Sequence, residues 1–171
     1  MIAVTKLIDL LDKPALVYWS NKLGLKGISI SDYYKETSAK GTKKHNEVEE
    51  FLLNGVLFDG YKEFQKSILG YEVIGVEKEV KNDFLIGRID LILKKDNLIY
   101  IVDLKRNKKI YLKTKLQLSC YKHIYKAHKI CYMNFDSYKL IELNIDTNKY
   151  YEIVKRLWQI KKILIELKEK L

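Results

Sequence analysis

A single α/β domain is the fold class this sequence predicts, on three observations. Apolar residues recur at helical spacing through the first 70 positions, alternate from Tyr71 to about Asn144, and return to helical spacing over 147–171. No low-complexity segment, internal repeat or linker interrupts the 171 residues, a length ample for one core. The expected parts are a helical region over 1–70, a sheet with one helix over 71–144, and a C-terminal helix over 147–171.

Residues 4–11 read as a short helix. Lys13-Pro14 opens a second, with Pro14 in its first turn and Gly24 at its end. Leu16, Trp19 and Leu23 fall on one face of it, with Val17 beside them, and are expected inside. Ser31 is a candidate cap for a turn over 33–36. Gly41 is expected to break the pattern before a helix from about Thr42 to Leu53, striped by Val48, Phe51 and Leu52. YKEFQKSIL (61–69) is a further short helix ended by Gly70.

Three strands follow: YEVIGVEKEV (71–80), then LIGRIDLIL and NLIYIVDLK around the turn-like KKDN. Residues 114–126 form a helix with Leu116, Cys120, Ile124 and Tyr121 inward. Residues 129–135 and 138–144 make a hairpin. The last helix carries Ile153, Leu157, Trp158, Leu164 and Leu167 as its apolar stripe.

The net charge of +10 makes a polyanion the leading partner, because clustered Lys and Arg displace counterions from phosphates. The two cysteines, Cys120 and Cys131, form neither CxxC nor a disulfide framework, which fits a reducing compartment and buried thiols. No apolar run has the length of a membrane span, and the N-terminus lacks the layout of a signal peptide. The expected location is the cytoplasm, or the host's if the chain is phage-encoded.

The chemistry concentrates in the central hairpin. Asp90 and Asp103 each interrupt a strand too apolar for a carboxylate without a partner, and buried charges are paired or bound to metal. With the turn centred near Asp96, residue numbers across the ladder sum to about 192–193, placing Asp90 opposite residue 102 or 103. Opposed side chains have Cβ atoms about 4.5–5.5 Å apart, so a cation shared by both carboxylates would relieve their repulsion. A turn shifted by one residue would instead send them to opposite faces. Lys105 shares a face with Asp103, where a lysine can orient a water and offset charge on a phosphate. Glu77 and Glu79 read as strand-surface charges, with a second metal as the alternative for one of them. The same hairpin without metal would be an ordinary ion pair on a surface strand.

Four blocks in order resemble the PD-(D/E)XK nuclease superfamily, in particular its RecB-like branch with the phage-type exonucleases: Gly41-Thr-Lys-Lys-His45, Gly87-Arg-Ile-Asp90, Asp103-Leu-Lys105 and Gln117-x-x-x-Tyr121. Lys13-Pro14-Ala15-Leu16 with Trp19 is similar to the N-terminal helix of phage-type members. The resemblance implies a restriction-endonuclease-like core, a central mixed sheet of about four or five strands flanked by helices. It implies Asp90, Asp103, the Leu104 backbone carbonyl and His45 as ligands of Mg²⁺ or Mn²⁺, with Lys105 positioning the attacking water. Gln117 and Tyr121 would face the substrate backbone or brace the site. The implied reaction is phosphodiester hydrolysis leaving a 5′-phosphate. Asp103 stands where many relatives have Glu, and two cysteines cannot supply the four-cysteine iron–sulfur cluster of some RecB-like members.

The run Arg106, Lys108, Lys109, Lys113 and Lys115 is expected to track phosphates, with Tyr111 available to stack on a base. With no helix-turn-helix or zinc finger evident, DNA ends are the expected target, and the resemblance implies a role in recombination or repair. The helix over 147–171 is expected either to cover the sheet or to serve a homo-oligomer or a recombination partner. Rival readings are a non-catalytic DNA-binding or scaffold protein and an RNA-directed nuclease.

Overall fold

The computed structural model describes residues 1–11, 14–106 and 109–168; Lys13, Lys108 and Leu171, named above, lie outside them. The elements in chain order are β1 (Ile2–Ala3), α1 (Val4–Ile8), α2 (Pro14–Gly24), α3 (Ile30–Asn54), α4 (Tyr61–Ser67), β2 (Glu72–Lys81), β3 (Leu85–Lys95), β4 (Leu98–Lys105), α5 (Leu112–Tyr125), β5 (Lys129–Asn134), β6 (Leu140–Glu142) and α6 (Thr147–Lys168). They fall into two compact units, Leu11–Phe58 and Met1–Leu10 with Asp59–Leu171.

The Leu11–Phe58 unit is helical. In place of a turn, a break at Gly41 and a second helix, α3 runs unbroken for 25 residues. Its cap is Ser29, whose side chain accepts the Asp32 N–H, and not Ser31. Gly41 has open space around it and costs the helix only about 1 kcal/mol relative to Ala, too little to end it. Gly55, at φ 72°, closes α3 in the left-handed conformation. On α2 only part of the expected face is covered. Trp19 meets the rings of Tyr33 and Tyr34 edge-on, at 5.0 and 5.8 Å, whereas Leu16 and Val17 are exposed.

The other unit is a mixed α/β fold around one sheet of six strands, β1-β3-β4-β5-β6, with β2 on the remaining edge of β3. β2–β3, β3–β4 and β5–β6 are antiparallel; β1–β3 and β4–β5 are parallel. The parallel β4–β5 step is made through α5, the usual crossover for such a pair. α5 is buried on every side from Leu116 to Tyr121, not only on the expected stripe. α6 places Val154 and Leu157 in the core, while Leu164 and Leu167 of the sequence stripe are exposed. Its sequence stripe therefore runs on past the residues that cover its first half.

Cys120 and Cys131 are buried, and loss of water around each thiol pushes it up to about 12. Both stay protonated at pH 8, and only a thiolate attacks. Titration of native protein with a chromogenic disulfide at pH 8 should therefore show no rapid thiol, and denaturant should release two.

Candidate active site at a fork in the sheet

The turn between β3 and β4 sets the geometry. Asp96 and Asn97 both take positive φ, 49° and 62°, the two-residue arrangement that joins twisted strands tightly. Lys95 then pairs with Leu98 and the ladder continues to Leu91 opposite Val102. Each pair sums to 193, the register under which Asp90 comes next opposite Asp103.

The ladder stops one step short of that pair. β2 occupies one edge of β3 from Ile86 to Lys94, so the other edge is shared by β4 at 91–95 and β1 at 85–86. Between them β4 leaves β3 and continues along β5 alone, with Asp103, Leu104 and Lys105 beside Tyr132, Met133 and Asn134. The sheet forks, and Asp90 and Asp103 stand at its crotch. Asp90 does not simply face Asp103 across a closed ladder, as the hairpin alone predicts. Its Oδ2 accepts the Leu104 N–H at 2.7 Å, taking the place of a backbone carbonyl. Because N–H and C=O of one strand residue point to the same edge, the Leu104 carbonyl is directed into the same gap.

Asp103 is only 2% exposed, and its Oδ1 lies 2.9 Å from Lys105 Nζ. Burial works against the charge on Lys105, but Asp103 and then Asp90 outweigh it, so its pKa is raised above the ordinary lysine value. Lys105 thus remains an ammonium throughout the neutral range, with its side chain still 32% exposed. It can donate to a phosphate or a water but cannot act there as a neutral base.

Gln117 and Tyr121 sit one turn apart on α5, 7% and 4% exposed, and Gln117 Nε2 donates to the Tyr121 hydroxyl at 3.3 Å. That hydroxyl also meets the Arg88 backbone. Burial raises the phenol pKa, while the hydrogen bonds from Gln117 and Arg88 draw it down. Gly87 is what lets the ring in, since a Cβ there would lie 2.8 Å from the Tyr121 hydroxyl oxygen and 2.9 Å from Cζ.

The basic run divides. Arg106 and Lys109 are exposed beyond β4, and Lys115 is half-buried on α5. Lys113 is engaged by Asp9 at 2.9 Å, tying α5 to the chain just after α1. Tyr111 is exposed at the N-terminus of α5. His45 is half-buried on α3, in the helical unit.

Glu77, read from sequence as a strand-surface charge, departs from that reading. Val76 pairs with Leu91 and Lys78 with Ile89, so Glu77 is level with Asp90 on β2. It has a positive φ of 45°, rare for a side-chain-bearing residue, and its carboxylate comes within 4.8 Å of that of Asp90 and 3.8 Å of Arg88 Nη1. Alternation alone gives no sign of this, because the turned-out backbone is invisible in a pattern of apolar and polar letters.

The family model of the PD-(D/E)XK nuclease superfamily matches residues 25–167. Among solved structures the chain is similar to one titled "Crystal structure of SSO0001", at 20% identity over 93% of this chain and 75% of that one, with a TM-score of 0.46. No curated protein matches it. With a family model covering most of its length, the chain belongs to the PD-(D/E)XK nuclease superfamily.

Proposed function

We propose that the protein is a Mg²⁺- or Mn²⁺-dependent deoxyribonuclease acting at DNA ends, in recombination or repair in the cytoplasm. The observation that carries the reading is the fork itself, which sets Asp90 and the Asp103–Lys105 pair level with one another where β3 and β4 part. The donor set fits a hard divalent cation: two carboxylates, the Leu104 carbonyl directed into the gap, and Glu77 close to Asp90. His45 is assigned to the same ligand set from its place in the motif order, with the two compact units acting as one nuclease domain. When bound, the cation would supply Lewis acidity at the phosphate and lower the pKa of a water.

The residues of the chain supply the rest. Lys105 holds the attacking water in line and offsets negative charge growing on the phosphate oxygens. Attack at phosphorus breaks the bond to O3′, leaving a 5′-phosphate and a 3′-hydroxyl. Gln117 and Tyr121 keep β3 and β4 apart at the required width. Arg106, Lys108, Lys109 and Lys115 draw the phosphate backbone toward the site, and Tyr111 stacks on a base. End preference and the RecB-like assignment rest on the order of the four sequence blocks.

Labelled DNA with free, 5′-blocked or 3′-blocked ends, with a ribo-oligonucleotide of the same sequence, tests the reading. Cleavage of free-ended DNA with Mn²⁺, stopped by chelator and slowed by one of the blocks, is expected. Binding without cleavage would point to a scaffold, and faster cleavage of RNA to an RNA-directed enzyme. Because phosphate contacts displace counterions, raising salt from 50 to 200 mM should weaken DNA binding by about tenfold or more.

A further inference from the structure

We propose that Asn134 is a positioning residue that sets the catalytic lysine, an inference resting on the role given to Lys105 above. Lys105 is the last residue of β4, and a long flexible side chain at a strand end is only as well placed as the backbone that carries it. That backbone is held from β5. Asn134, paired with Lys105 and only 6% exposed, donates from Nδ2 to the Arg106 carbonyl at 2.8 Å and to the Lys105 carbonyl at 3.4 Å. The Lys105 carbonyl also accepts the Phe135 N–H at 3.0 Å.

Asn134 is itself locked. Its Oδ1 accepts the Asp136 N–H at 2.8 Å and its backbone carbonyl accepts the Tyr138 N–H at 2.7 Å. The Tyr138 ring then packs edge-on against Phe64, with centroids 6.0 Å apart. A buried amide with donor and acceptor both used by backbone is a device for fixing geometry. Here it clasps the chain immediately after Lys105, on the edge of β4 opposite the fork. Leu104 is held by Asp90 on one side and Lys105 by Asn134 on the other, so the ammonium is delivered to Asp103 from a strand gripped along both edges. The clasp also fixes the direction in which the run beginning at Arg106 leaves the sheet.

Two variants separate this from a purely structural role. Asn134→Asp keeps the acceptor for Asp136 but loses the amide donor; Asn134→Ala loses both. Each should lower kcat roughly tenfold to a hundredfold, since a misplacement of about 1 Å can cost that much, with KM for DNA within about twofold of wild type. In protein labelled at the lysine ε-carbons, the Lys105 signal, assigned with Lys105→Arg, should move toward that of solvated lysines in both variants. Unchanged kcat, or a Lys105 signal that stays in place in whichever variant folds, overturns the proposal. The functional reading fails separately, if Lys105→Ala cleaves DNA at the wild-type rate.

Discussion

Replacing Asp103 with asparagine should lower DNA cleavage by about a thousandfold or more while leaving the protein folded. The loss follows from removing the carboxylate that pairs with Lys105 and that we propose shares the cation, a contribution worth several kcal/mol at about 1.4 kcal/mol per factor of ten. The stability result is the less obvious half. Breaking a buried ion pair usually destabilises by about 3–5 kcal/mol, because the remaining charge is stranded. Lys105 is not stranded, since its side chain is 32% exposed and turns readily to water. Loss of Asp103 also relieves its repulsion with Asp90. The net change in unfolding free energy should therefore stay within about 1 kcal/mol. A denaturant titration beside a cleavage assay reads both quantities. A large drop in stability with cleavage retained would make Asp103 a structural residue.

Gly87→Ala should lower both stability and DNA cleavage through a single added methyl group. The new Cβ meets the Tyr121 ring and hydroxyl at contact distances no packed pair adopts. Either the ring leaves its bond to Gln117 or β3 shifts, and overpacking of this kind costs about 1–3 kcal/mol. A shift of β3 moves Asp90 with it, so kcat should fall at least tenfold as stability falls. The effect belongs to the pair. In a Tyr121→Ala background the same substitution should cost well under 1 kcal/mol, the coupling expected of residues in direct contact. Thermal unfolding of the four proteins in the cycle measures it, and equal costs in both backgrounds would mean that Gly87 serves some other purpose.

The parts legible in the sequence were those governed by short-range rules. The change from helical to alternating period located the sheet. A turn near Asp96 narrowed the partner of Asp90 to residue 102 or 103, and the two-residue Asp96–Asn97 turn selects Asp103. Gly24 and Gly70 stand near helix ends, where glycine is at home. Gly41 misled because a glycine inside a long helix costs little, and Ala39, Lys40, Lys43 and Lys44 around it are good helix formers.

What escaped was set by tertiary arrangement. β4 parts from β3 where β1 takes the β3 edge at 85–86 and β4 stays paired to β5, and no local pattern records that arrangement. The fork turned Asp90 from a side chain facing its opposite number into a partner of the Leu104 amide. Gln117 and Tyr121 are buried on α5, which a polar pair on a helix would not announce. Lys113 looked like its neighbours in a basic run, yet Asp9, 104 positions away, occupies it. Glu77 was hidden by backbone geometry, and the clasp at Asn134 by its place in a short hairpin of ordinary composition.

Central to the proposed chemistry is a divalent cation bound by the two fork carboxylates. Calorimetric titration of Mn²⁺ into wild-type protein and into the Asp90→Asn/Asp103→Asn double variant, both shown to be folded, tests it without reference to any substrate. Saturable binding to the wild type that is lost in the double variant is the predicted result. Equal Mn²⁺ binding by both proteins, or none by the wild type, would contradict it.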